Sequence, residues 1–179
     1  MAKTMKWAAG IFLALTLVLA VSYRFFPAGV LLTLAITAGT ISYHLCMRLL
    51  VGGAFRVLLK NRADYHRRWY RLHHWEKRLY EKLRVKKWKA HLPTFQPELF
   101  DPRLHTWEEI AQAMCQAELV HETIIVLSFL PLAFVPLFGS FPTFLLTSLG
   151  SAAFDGLFVM LQRYNRPRVI HLIEREKPS

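Results

Sequence analysis

Glu118 and His121 stand three residues apart in the string Ala117-Glu118-Leu119-Val120-His121-Glu122, a spacing that puts both side chains on one face of a helix. Imidazole titrates closest to neutrality of all side chains, and a neighbouring carboxylate orients it and raises its basicity. The pair is a candidate general base for a hydroxyl group, with His121 taking the proton and Glu118 supporting it. The plainer alternative is a polar pair that ends a helix and faces water. Di-iron bundles use the same spacing, but they need two such motifs and two further glutamates; only one motif occurs here. His73-His74 is an isolated pair, so no histidine-rich metal box is legible and no metal is expected.

Two basic strings could supply the substrate contacts. In Arg84-Val85-Lys86-Lys87-Trp88-Lys89 the cations have helix spacing, which suits Lys86, Lys87 and Lys89, with Trp88 among them, to the phosphates of a soluble thioester or nucleotide donor. In Gln162-Arg163-Tyr164-Asn165-Arg166-Pro167-Arg168, Pro167 should stop or kink a helix and Asn165 suits a turn. A basic cap would need neither Gln162 nor Asn165, so Gln162, Arg163, Tyr164, Asn165 and Arg166 are candidates for headgroup or oxyanion contacts. Cys46 and Cys115 are single, and there is no Gly-x-Ser-x-Gly elbow or Cys-His arrangement. Direct transfer to a hydroxyl is therefore expected rather than a covalent acyl-enzyme, with no cofactor beyond the acyl thioester co-substrate.

The elements that carry these residues follow from where the charges lie. The 179-residue chain is 54% hydrophobic yet has a formal net charge of +11, so apolar and basic residues must be segregated. Residues 11–22 carry no charge, Phe25 to Met47 carries none, and from Thr123 to Met160 only Asp155 is charged. An all-α integral membrane protein is expected, with four transmembrane helices at about 7–23, 27–49, 122–138 and 142–162. A basic interfacial helical segment, about 54–120, should join the second and third, and a tail, 163–179, should follow the fourth. Prolines and glycines inside the last two spans are tolerable in lipid. The whole forms one membrane domain. Of the 23 basic residues, 21 fall at the amino terminus, in the 54–120 segment or in the tail, which assigns that side and both termini to the cytoplasm. Antiparallel third and fourth spans would bring His121 opposite Asn165. The basic patch is better explained by anionic lipid than by nucleic acid, which is not expected as a partner.

Three strings, in their order and separation, resemble the glycosyl-4,4'-diaponeurosporenoate acyltransferase family: Trp75-Glu76-Lys77 through Lys89, Ala117 through His121, and Gln162 through Arg168. The resemblance covers roughly residues 50–172, and the last string is its most specific part. It departs at Glu122, where an aromatic residue would fit the pattern. The resemblance implies a small cell-membrane enzyme that esterifies a sugar hydroxyl of a glycosylated carotenoid acid with a fatty acyl group, its partners being a membrane lipid and a lipid-linked sugar acceptor. The competing class is a non-catalytic membrane protein that binds a lipid or scaffolds a lipid-modifying pathway.

Overall fold

The computed structural model describes residues 2–88, 91–92 and 96–176, and among them there are helices and no strand. The long elements are α1 (Ala2–Phe25), α2 (Gly29–Leu59), α5 (Trp107–Leu127) and α7 (Phe141–Glu176); between them lie the shorter α3 (His74–Lys82), α4 (Val85–Trp88) and α6 (Val135–Phe138). Four helical segments are long and apolar enough to cross a membrane: Lys3–Phe25, Gly29–Leu59, Trp107–Phe138 and Phe141–Glu176. The all-α, four-span reading therefore holds.

The chain forms two compact units, one of Met1–Gly53 with Thr123–Phe154 and the other of Ala54–Glu122 with Asp155–Ser179. The first contains only four charged residues, Lys3, Lys6, Arg24 and Arg48. Within it α1 meets α2 closely at Gly39, where an added Cβ would lie 3.3 Å from the Thr16 methyl, and Ser42 Oγ donates to the Ala9 carbonyl at 3.1 Å. Arg48 donates to Ser151 Oγ at 2.9 Å, and the Ser151 hydroxyl in turn meets that of Ser128 at 2.9 Å.

The prolines break the third apolar segment rather than pass through it. A proline has no N–H to give the carbonyl four residues back, and for Pro131 that carbonyl belongs to Leu127, where α5 ends. The Tyr43 hydroxyl donates to it at 2.9 Å, so this partly buried acceptor keeps a partner. The chain then continues as a 3-10 stretch, Leu130–Phe134, and as α6, each opened by a proline in its first two positions. Gly139, at φ +67°, turns the chain into α7.

The second unit differs from expectation at both ends. α5 begins at Trp107, well before the apolar run, because Thr106 caps it: Thr106 Oγ1 accepts from the Glu109 N–H at 3.2 Å and the Glu109 carboxylate accepts from the Thr106 N–H at 2.9 Å. This is the reciprocal capping box. At the other end, α7 does not stop at Pro167 but runs on to Glu176. A helix-interior proline costs about 3 kcal/mol, and the unit holds α7 on both sides of it. Arg163 and Arg166 are buried in ion pairs, and the Glu176 carboxylate accepts from Trp107 Nε1 at 2.9 Å.

Among its described residues the basic segment is helical in short pieces. It comprises a 3-10 turn at Arg68–Tyr70, then α3 and α4, then a 3-10 turn at Pro97–Phe100 before α5.

Candidate active site

The second unit is organised by a clasp of buried charges. Arg163 on α7 uses all five of its N–H donors. Nε and Nη2 go to the two Glu76 oxygens of α3 at 2.6 and 3.0 Å. Nη1 goes to Glu118 Oε1 of α5 at 2.6 Å and to the Trp69 carbonyl at 3.2 Å, and Nη2 also reaches the Arg71 carbonyl at 3.1 Å. One turn on, Arg166 donates to the other Glu118 oxygen and to the Tyr70 carbonyl, and its guanidinium lies over the Tyr70 ring. Two carboxylates thus neutralise two guanidiniums, and three successive carbonyls, of Trp69, Tyr70 and Arg71, are fixed on α7.

Burial alone would raise the Glu76 carboxyl; the Arg163 guanidinium and the His73 N–H, 2.7 Å away, outweigh it and hold Glu76 below the usual carboxylate range. Tyr80 behaves in the opposite sense. Burial, and then the Glu76 carboxylate that accepts its hydroxyl at 3.3 Å, push it up to about 12, so it stays a neutral phenol.

Glu118 is wholly buried in this clasp, and it does not support His121. The expected pair is separated because a carboxylate held by two guanidiniums faces into the unit, whereas His121 meets α7 elsewhere. His121 Nδ1 lies 2.8 Å from Asp155 Oδ1, and its ring stacks on Phe158 with centroids 4.7 Å apart. Asp155 is buried and His121 partly so. Asp155 thus takes the place expected of Glu118, and its signal in the sequence is that of the lone charge between Thr123 and Met160. A carboxylate in an apolar segment is costly and is a functional candidate on that ground.

In the neutral imidazole whose Nδ1–H donates to Asp155, Nε2 carries the lone pair, and no protein group bonds Nε2 among the described residues. Carboxylate and stacked ring together fix the imidazole in plane and in tautomer. Such an arrangement can serve as a histidine base with its orienting acid.

α5 and α7 run antiparallel in this unit, as contacts from Trp107 to Glu176, Cys115 to Arg166 and His121 to Asp155 require. His121 therefore meets α7 at Asp155 and Phe158, about two helical turns before Asn165. The same unit holds a cleft of about 540 Å³ whose wall includes Trp69, Trp75, Glu122 and Val159.

The remaining candidates among the described residues do not line this cleft. Lys86 and Lys87 are exposed on α4, with Trp88 partly exposed and its Nε1 bonded to the Leu83 carbonyl. Tyr164 accepts a hydrogen bond from exposed Arg168 at 3.1 Å, Asn165 is partly exposed and Gln162 buried. Lys89 falls outside the described residues. Among the described residues no group of three or more His, Cys, Asp or Glu is arranged to hold a metal ion.

A family model described as glycosyl-4,4'-diaponeurosporenoate acyltransferase matches residues 66–175, more than half of the chain. No curated protein and no solved structure matches it. The matched stretch contains Glu76, Glu118, His121, Asp155, Arg163 and Arg166, so the clasp and the dyad both fall inside it. With four helices able to span a bilayer and this match, the chain belongs to the glycosyl-4,4'-diaponeurosporenoate acyltransferase family of membrane acyltransferases.

Proposed function

We propose that the protein moves a fatty acyl group from an acyl thioester to a hydroxyl of a glycosylated membrane lipid, a glycosyl carotenoid acid being the acceptor its family name denotes. The observation that carries this reading is the His121–Asp155 dyad, in a chain that belongs to an acyltransferase family. The acceptor hydroxyl gives its proton to His121 Nε2 as its oxygen attacks the thioester carbonyl. The carbon–sulfur bond then breaks, and the imidazolium returns the proton to the leaving thiolate. Asp155 stabilises the imidazolium and holds the Nδ1–H tautomer throughout. Glu118, Arg163 and Arg166 act as positioning residues, because their charges are already engaged with one another. Asn165 and Tyr164 lie about two turns along α7 from the residues that meet His121, too far for an oxyanion formed there, and keep only headgroup contact as a candidate role.

Purified protein in detergent, given labelled acyl-CoA and a synthetic glucosyl lipid, should form an ester that requires both substrates. A protein that binds both and forms no ester would contradict acyl transfer.

The exposed lysines on α4 suit the donor's phosphates. Charge reversal at Lys86 or Lys87 should raise the half-saturating donor concentration about three- to fivefold each, as for an exposed contact worth roughly 1 kcal/mol. Raised salt should mimic the effect. A loss of turnover at unchanged affinity would speak against this role.

Both termini and the 54–120 segment are assigned to the cytoplasm. In a variant lacking Cys46 and Cys115, a cysteine at Ser140 should react with an impermeant maleimide in intact cells and one at Lys87 should not; labelling at Lys87 would overturn the orientation.

A further inference from the structure

Neither His121 nor Asp155 lines the cleft, although its wall lies close to them in sequence on both helices. Glu122 and Val159 of its wall each follow by one residue a member of the stacked pair His121 and Phe158. Its volume, about 540 Å³, is that of a small-molecule site. Trp69 and Trp75 line it while remaining 63% and 64% exposed, so two large indole faces stand open to an occupant.

The polar groups of the wall are partly committed and partly free. Glu122 Oε2 accepts from Trp69 Nε1 at 2.9 Å, which fixes both side chains, and Oε1 has no protein donor among the described residues. Exposed Arg68 also lines the cleft with no acceptor for its guanidinium among them. The occupant must therefore supply donors to a carboxylate, acceptors to a guanidinium and an apolar face to the indoles.

Aromatic walls with a carboxylate suit either a polyhydroxylated ring or a quaternary ammonium group. The arginines decide between them. Arg68 and Arg163 lie on the same wall, and an ammonium placed there meets Arg68 as an unneutralised like charge. A sugar ring meets each wall group favourably: hydroxyl protons to Glu122, hydroxyl oxygens to Arg68, and the C–H face to an indole.

We propose that this cleft binds the sugar ring of the acceptor, with Glu122 Oε1 and Arg68 bonding its hydroxyls and the exposed indoles packing on its apolar face. The proposal rests on the reading of acyl transfer to a glycosylated lipid, and it makes Glu122, Trp75 and Arg68 the residues that recognise the acceptor.

The test is binding, measured without turnover. Full-length protein is titrated with hexyl β-glucoside below its micellar concentration, followed by tryptophan fluorescence and by saturation transfer to the sugar protons; hexanol and hexyltrimethylammonium are the comparison probes. Saturable binding of the glucoside and none of hexanol are expected. Glu122→Gln and the exposed-site change Trp75→Ala should each weaken the glucoside about tenfold, the effect of one charge-assisted hydrogen bond or one stacking face. His121→Ala should keep glucoside affinity within about twofold while losing transfer, so failure of sugar binding and failure of the transfer reading give different results. Glucoside binding that is absent, or unchanged in both cleft variants, overturns the proposal, as does tighter binding of hexyltrimethylammonium than of the glucoside.

Discussion

Truncating Glu118 to alanine is expected to leave little folded protein. The change strips the carboxylate from between Arg163 and Arg166 and leaves two guanidiniums buried without it. Breaking a buried pair in this way costs about 3–5 kcal/mol, against a total stability of about 5–15 kcal/mol for an ordinary domain. Abundance in the membrane and the melting temperature in detergent read the effect, and Glu118→Asp should recover part of it. A Glu118→Ala protein that melts within about 2 °C of the wild type would show that the clasp does not hold the unit together. The same cluster predicts acid sensitivity. The folded state holds Glu76 below its ordinary value, so its stabilising contribution is complete above the unfolded carboxylate range, near pH 4.3. It is lost as the pH falls through the lowered folded value. Thermal melts at falling pH should decline there in the wild type and decline less in Glu76→Gln.

The second large effect is expected at Asp155. Asp155→Asn keeps the size of the side chain but can stabilise the wrong imidazole tautomer and cannot stabilise the imidazolium. Turnover should fall by about 10²- to 10⁴-fold with the half-saturating acceptor concentration little changed. Abundance identifies the alternative: a fall in activity that only tracks the amount of folded protein would make Asp155 a structural acid.

The four spans are legible in the sequence because a chain this basic leaves long runs free of charge only where charge would be costly, as it is in hydrocarbon. The boundaries are less so. The apolar run places the start of the third span near residue 122, whereas the helix begins at Trp107 on the Thr106–Glu109 capping box, a local signal that precedes any hydrophobic one. Pro167 reads as a stop or a kink by local rules, and α7 passes through it, because ion pairs from α3 and α5 hold it and those are tertiary contacts that no local window contains.

The candidate site shows the same division. Glu76, Glu118, Arg163 and Arg166 belong to the three strings that carry the family resemblance, and the fold does gather those four. Their partners are not legible there, since spacing along one helix pairs Glu118 with His121 while the crossing of two helices pairs His121 with Asp155. Lone charge in an apolar segment is the available signal for Asp155. Nothing in the spacing of Trp69, Trp75 and Glu122 marks a shared wall, because they come from a turn, α3 and α5.

A double-mutant cycle in turnover addresses the central claim most directly. Ester formation from acyl-CoA and a glucosyl lipid is measured for the wild type, His121→Ala, Asp155→Ala and the double variant, each normalised to folded protein. If the dyad is one catalytic unit, the double variant should lose no more than His121→Ala alone, with losses of about 10²- to 10⁴-fold. Losses that add, or a His121→Ala protein that retains its turnover, would contradict a catalytic dyad.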